Sequence, residues 1–116
     1  MGDVSAKQQR FTECVGTLIA YAGSRGYGLT FGDAYRDPRV HGKMGDKVGY
    51  AAAKSVHKLR LAVDFNLFVE GVYVTDGKHV AYSELGALWE RLDENARWGG
   101  RFDDANHFSF EHNGVR

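Results

Sequence analysis

A chain of 116 residues, 43% of them apolar and 26% charged, holds enough sequence for one folded domain and is too short for a catalytic domain beside a separate binding module. Fifteen basic residues balance fifteen acidic ones, so no overall charge draws the chain to nucleic acid or to an anionic membrane. A single cysteine excludes an internal disulfide and a cysteine-rich structural metal site, and no apolar run approaches the ~18 residues of a membrane span.

In chain order, Phe11, Val15, Leu18, Ile19 and Ala22 recur at intervals of three and four, which predicts an amphipathic helix over Ser5 to Ala22 that covers a sheet, with Gly23 as its stop. Cys14 falls in this stretch and reads as a small buried hydrophobe. Gly26 to Phe31 reads as a loop entering a strand, and Arg36 follows between Asp33 and Asp37, where the residues alone indicate an exposed ion pair. Asp37 to Lys54 holds the one proline and the run Ala51-Ala52-Ala53 and reads as a long connection; connections of that length are commonly functional, and this one is expected to wall a cleft. His41, inside it, has no second ligand at a useful spacing.

Leu61, Val63, Phe65 and Leu67 alternate with Ala62, Asp64, Asn66 and Phe68, the period of a strand, with Asp64 on the face away from Val63 and Phe65 and directed to a cleft or to solvent. A straight strand would separate His57 from Asp64 by roughly 23 Å. Hence the two can share a metal only if the chain doubles back near Lys58–Arg60. Glu70-Gly71 is the expected turn of a hairpin, and Asp76 to His79 makes another bend. Leu85, Leu88, Trp89 and Leu92 mark a second amphipathic helix over Ser83 to Leu92, and Ala96 to Phe102 reads as a turn-rich passage. Phe108 and Phe110 alternate with His107, Ser109 and Glu111, the pattern of a strand with one buried face and His107 on its polar side. His79, which precedes a helix without a carboxylate in register, and His112, near the end of the chain, are placed outside any site.

His57, His107 and Asp64 form the two-imidazole, one-carboxylate set of a catalytic zinc whose fourth position stays open to water. Asp104 lies three residues before His107, a spacing that puts both side chains on one side of a turn, where Asp104 can act as general base; Asp103 lacks that spacing and reads as a solvated or capping side chain.

These residues resemble the M15 zinc peptidases, whose signature reads Ser-x-His-x-x-Gly-x-Ala-x-Asp followed downstream by Glu or Asp-x-x-His. Ser55, His57, Ala62, Asp64, Asp104 and His107 match it. Leu61 to Phe68, Trp98-Gly99-Gly100-Arg101-Phe102 and Asn106-His107-Phe108 are most similar to the small phage endolysins of the L-alanyl-D-glutamate peptidase type. Arg60 stands at the signature glycine, where positive φ is poorly tolerated by arginine, so the turn is expected to differ in shape without moving the ligands. The resemblance implies the hedgehog/DD-peptidase-like α+β fold, a small and mostly antiparallel sheet with packed helices, over residues 1–116. It also implies Zn²⁺ on His57, Asp64 and His107, Asp104 as general base, and Arg36 reaching the site to stabilise the oxyanion. Ser55 then orients the substrate or the ligand loop, beside the plainer reading of a turn-stabilising hydroxyl.

The function expected is hydrolysis of a peptidoglycan stem-peptide bond, L-alanyl-D-glutamate first and D-alanyl-D-alanine as the alternative. A non-catalytic zinc-binding module for wall peptides is disfavoured by Asp104, which a structural site does not need. A metal-dependent nuclease is disfavoured by the neutral charge. Met1-Gly2-Asp3-Val4 lacks the opening of a signal peptide, so the expected product is a monomer made in the host cytoplasm, without membrane insertion, that acts on the wall after release.

Overall fold

The computed structural model describes residues 2–32 and 59–114, so Arg36, His41, the connection 37–54, Ser55 and His57 lie outside the described residues. The elements are α1 (Gly2–Ser24), β1 (Tyr27–Phe31), β2 (Ala62–Val69), β3 (Val72–Tyr73), α2 (Val80–Leu92), β4 (Ala96–Trp98), a 3-10 turn (Gly99–Phe102) and β5 (His107–Phe110). The strands form one antiparallel sheet in the order β1-β2-β5-β4. Phe68 pairs with Gly28 on one side and Tyr73 on the other, so β3 sits on the edge of β2 opposite β1. This is the small α+β architecture expected from the sequence.

The two faces of the sheet have different work. Directly opposed residues of an antiparallel pair share a face, which groups Val63 with Phe108, Leu67 with Leu29, and Trp98 with Phe108 on the core side. Both helices cover that side. Phe11 of α1 meets Trp89 of α2 edge-on at 5.6 Å and Phe110 at 5.2 Å, and Trp89 meets Phe108 at 5.9 Å. Fully buried Leu18, Leu67 and Leu85 complete the core, each contributing about 2 kcal/mol by leaving water. Cys14 is buried in the same layer, and desolvation pushes its thiol pKa up, as suits an inert hydrophobe.

Several boundaries differ from the sequence reading. Helix α1 runs through Gly23 to Ser24, and the chain reverses at Gly26, whose φ of 79° is the conformation that favours glycine. Its buried stripe is Phe11, Cys14, Leu18 and Ala22, while Ile19 is exposed. Helix α2 starts at Val80, ahead of Ser83, because the His79 imidazole caps it: Nδ1 accepts from the Ala81 amide at 3.0 Å. The passage after α2 contains strand β4, three residues long. Glu70 and Gly71 form the hairpin turn as expected, with φ of 52° and 77°, the pair of positive values a two-residue loop demands. Arg60 has φ of 59°, so the turn keeps the left-handed conformation that a glycine would give it, against the expectation of a different shape.

Candidate active site

On the face of the sheet away from the helices, strand pairing sets Asp64 of β2 directly opposite His107 of β5. Their side chains meet, with Asp64 Oδ1 and His107 Nδ1 3.1 Å apart. Opposed Cβ atoms in such a ladder lie about 4.5–5.5 Å apart. A short carboxylate and an imidazole therefore touch without strain. The ladder continues past the pair, since the Phe65 amide donates to Asn106 O at 2.8 Å. On its other side Asp64 O accepts from the Gly32 amide at 2.8 Å, and a Cβ on Gly32 would stand 3.3 Å from that of Asp64. Residue 32 is thus a near neighbour of the site that periodicity could not reveal.

Of the two settings expected for Asp64, a cleft or solvent, open solvent is excluded: the residue is 8% exposed. Ser109, on the same face as His107 and opposite Ala62, is wholly buried, so β5 is enclosed on both faces and not on one. A carboxylate and an imidazole enclosed together form a preorganised donor pair with low exposure to competing water.

Asp104 is joined to His107 by a tight backbone turn. Its amide donates to Gly99 O at 2.9 Å, and its carbonyl accepts from the His107 amide at 3.0 Å. The three-residue spacing read from the sequence is this closed turn. Asp104 is exposed. Asp103 sits at the end of the 3-10 turn with φ of 63° and caps it through its backbone N–H on Gly99 O, while the residue itself is exposed, in line with a solvated side chain.

The other two described histidines have structural partners. His79 caps α2, and His112 Nδ1 lies 3.2 Å from Lys7 Nζ on α1. The structure brings together Asp64, His107 and the Asp104 turn; His57, Ser55 and Arg36 lie outside the described residues. Among the described residues no three His, Cys, Asp or Glu side chains are grouped to hold an ion. The two donors that are described lie a few tenths of an ångström closer than one ion would hold them: atoms each about 2.0–2.2 Å from a tetrahedral zinc lie about 3.3–3.5 Å from each other, and Oδ1 and Nδ1 stand 3.1 Å apart.

Sequence reasoning missed the residues that shape the turn. A Cβ on Gly99 would lie 2.3 Å from Asp104 O and 2.8 Å from the His107 Cβ, so only glycine lets the two chain segments close. Gly86 and Gly100 flank the Trp98 ring, each with room for no Cβ. A glycine inside α2, where it costs about 1 kcal/mol relative to alanine, was the signal for a close neighbour.

A family model for peptidase M15, described as D-alanyl-D-alanine carboxypeptidase, matches residues 49–110, more than half of the chain and a span that takes in the whole of β2, α2, β4 and β5. No curated protein matches the sequence. The matched span contains Asp64 and His107 on their paired strands and the Asp104 turn between Gly99 and His107, and on that match the chain belongs to the M15 peptidase family.

Proposed function

We propose that the protein is a zinc-dependent peptidoglycan peptidase of the phage endolysin type, cutting the L-alanyl-D-glutamate bond of the stem peptide. The observation that carries the reading is the contact of Asp64 with His107 across β2 and β5, with Asp104 one closed turn before the histidine. Asp64 and His107 would hold the ion with His57, the third ligand of the signature. When bound, zinc supplies Lewis acidity toward a water and toward the scissile carbonyl.

The chain's own residues do the rest. Asp104, exposed at the mouth of the turn, accepts the proton of the attacking water and returns it to the leaving amine. Arg36 places a fixed positive charge where the carbonyl oxygen becomes an oxyanion, and Ser55 orients the peptide. The enclosure of Asp64 keeps bulk water from competing for the donor pair. Synthesis in the host cytoplasm and release to the wall at lysis complete the role, with the protein acting as a monomer on the stem peptide.

Digesting purified peptidoglycan and reading the products by mass spectrometry tests this directly. Stem peptides freed at L-alanine are the expected result. Peptides shortened by a terminal D-alanine alone would establish the carboxypeptidase reading, which the description of the matching family favours. An unchanged digest would remove both and leave a binding module.

A further inference from the structure

Between α2 and the active-site turn lies Trp98, which the proposed chemistry does not use. Its ring occupies a slot made by the absence of two side chains: a Cβ on Gly86 of α2 would stand 2.1 Å from Cδ2, and a Cβ on Gly100 would stand 2.1 Å from Cζ2. From that slot the indole Nε1–H donates to Ala105 O at 2.7 Å, in a buried bond. Ala105 is the second residue of the turn that Asp104 opens and His107 closes.

The ring is itself held from behind. The Trp98 amide donates to Glu90 Oε2 at 3.1 Å, and Arg101 Nε donates to Glu90 Oε1 at 2.8 Å, tying α2 to both ends of the 3-10 turn. The next residue, Gly99, offers its carbonyl to the amide of Asp104 and leaves no space for a Cβ between Asp104 and His107. Helix, strand and turn are therefore tied together around Trp98, whose indole alone reaches the Ala105 peptide group. That group lies midway between the general base and the metal ligand of the proposed mechanism.

We propose that Trp98 is a positioning residue: its indole N–H on Ala105 O fixes the turn from Asp104 to His107, and so sets the distance at which the Asp104 carboxylate serves the metal pair. This rests on the peptidase reading above for its consequence in catalysis. The ladder that opposes Asp64 to His107 is built by β2 and β5 and does not pass through the indole. Losing the N–H should therefore loosen the base and leave the ligands in place. A base displaced by even about 1 Å costs of the order of 10²-fold in rate.

The test uses two variants of the full chain, Trp98→Phe and Trp98→benzothienylalanine, the second keeping the bicyclic shape and removing only the donor. Amide hydrogen exchange is read at Asp104 and His107, whose N–H groups close the turn, and at Phe110 and Val74, whose N–H groups bond to Leu61 O and Leu67 O elsewhere in the sheet. Protection at Asp104 and His107 should fall at least ~10-fold with Phe110 and Val74 unchanged, and kcat on a stem peptide should fall ~10- to 100-fold with KM within about twofold. Uniform loss of protection at all four amides would make Trp98 merely structural. No loss at the turn, or local loss with kcat unchanged, would equally overturn the proposal. If the unmodified protein cuts no stem peptide, the peptidase reading fails on its own, and the exchange pattern still decides whether the indole holds the turn.

Discussion

Asp64 and His107 oppose each other in the β2–β5 ladder, with Oδ1 and Nδ1 3.1 Å apart and Asp64 almost enclosed. The backbone makes this pairing independently of the side chains, through the bond from the Phe65 amide to Asn106 O and that from the Phe110 amide to Leu61 O. Removing the carboxylate should then remove the metal and spare the sheet. In Asp64→Ala, elemental analysis is expected to find the zinc largely gone while the far-ultraviolet dichroism keeps the native shape. A variant that retains one zinc per chain would take Asp64 out of the ligand set.

The turn before β2 offers a separate test of backbone strain. Arg60 holds φ of 59°, a conformation that costs a residue with a Cβ roughly 1–2 kcal/mol, and its side chain is exposed. Glycine removes that cost but widens the unfolded ensemble by about 0.5–1 kcal/mol. Arg60→Gly should therefore stabilise the protein by about 0.5–1 kcal/mol, read as a higher urea midpoint at unchanged slope. A lower midpoint would mean that the arginine side chain contributes more than its backbone costs.

Much of the fold is legible in the sequence alone, and for identifiable reasons. Asp64 and His107 sit on strands whose apolar residues alternate with a period of two, and Glu70-Gly71 is a dipeptide that accepts two positive φ values, so the strands and their hairpin followed from local rules. The end of α1 did not, because a glycine is tolerated in a helix at a cost of about 1 kcal/mol and the choice of Gly26 over Gly23 is made where β1 begins. The start of α2 was hidden by Ser83, a plausible cap, while the imidazole of His79 does the capping. Strand β4 is too short to show a period, and the burial of Asp64 and Ser109 depends on tertiary packing that no local pattern encodes.

Acid should weaken the molecule at a point remote from the site. Glu84 of α2 accepts hydrogen bonds from the hydroxyls of Tyr21 on α1 and Tyr27 on β1, the latter at 2.5 Å, and pairs with Arg25 Nε at 2.6 Å. The Tyr21 hydroxyl first, then that of Tyr27 and the Arg25 charge, hold its carboxyl below the usual range. A depressed carboxylate pKa stabilises the fold above the unfolded value, about 4.3, and that stability is lost as pH falls through the folded value. The gap in Tm between the unmodified protein and Glu84→Gln should thus be widest near neutrality and narrow as pH falls below about 4.3. A gap that does not vary with pH would assign the effect of the substitution to packing.

The sharpest test of the mechanism is the role of Asp104. Its backbone is fixed twice, by its amide on Gly99 O and by its carbonyl under the His107 amide, while its side chain is exposed and leaves the core untouched. Asp104→Asn keeps the size of that side chain and removes most of its basicity, so the turn, the thermal stability and the zinc content should all persist. Hydrolysis should fall by something like ~10²–10⁴, the range typical of losing a positioned base, and mostly in kcat. Were Asp104 instead a fourth protein ligand, it would close the position where water must enter, and zinc and activity would leave together. Metal content and rate measured on one preparation of the variant separate the two roles. Full retention of both would place the base elsewhere, with Asp103 and Glu111 the next carboxylates to replace.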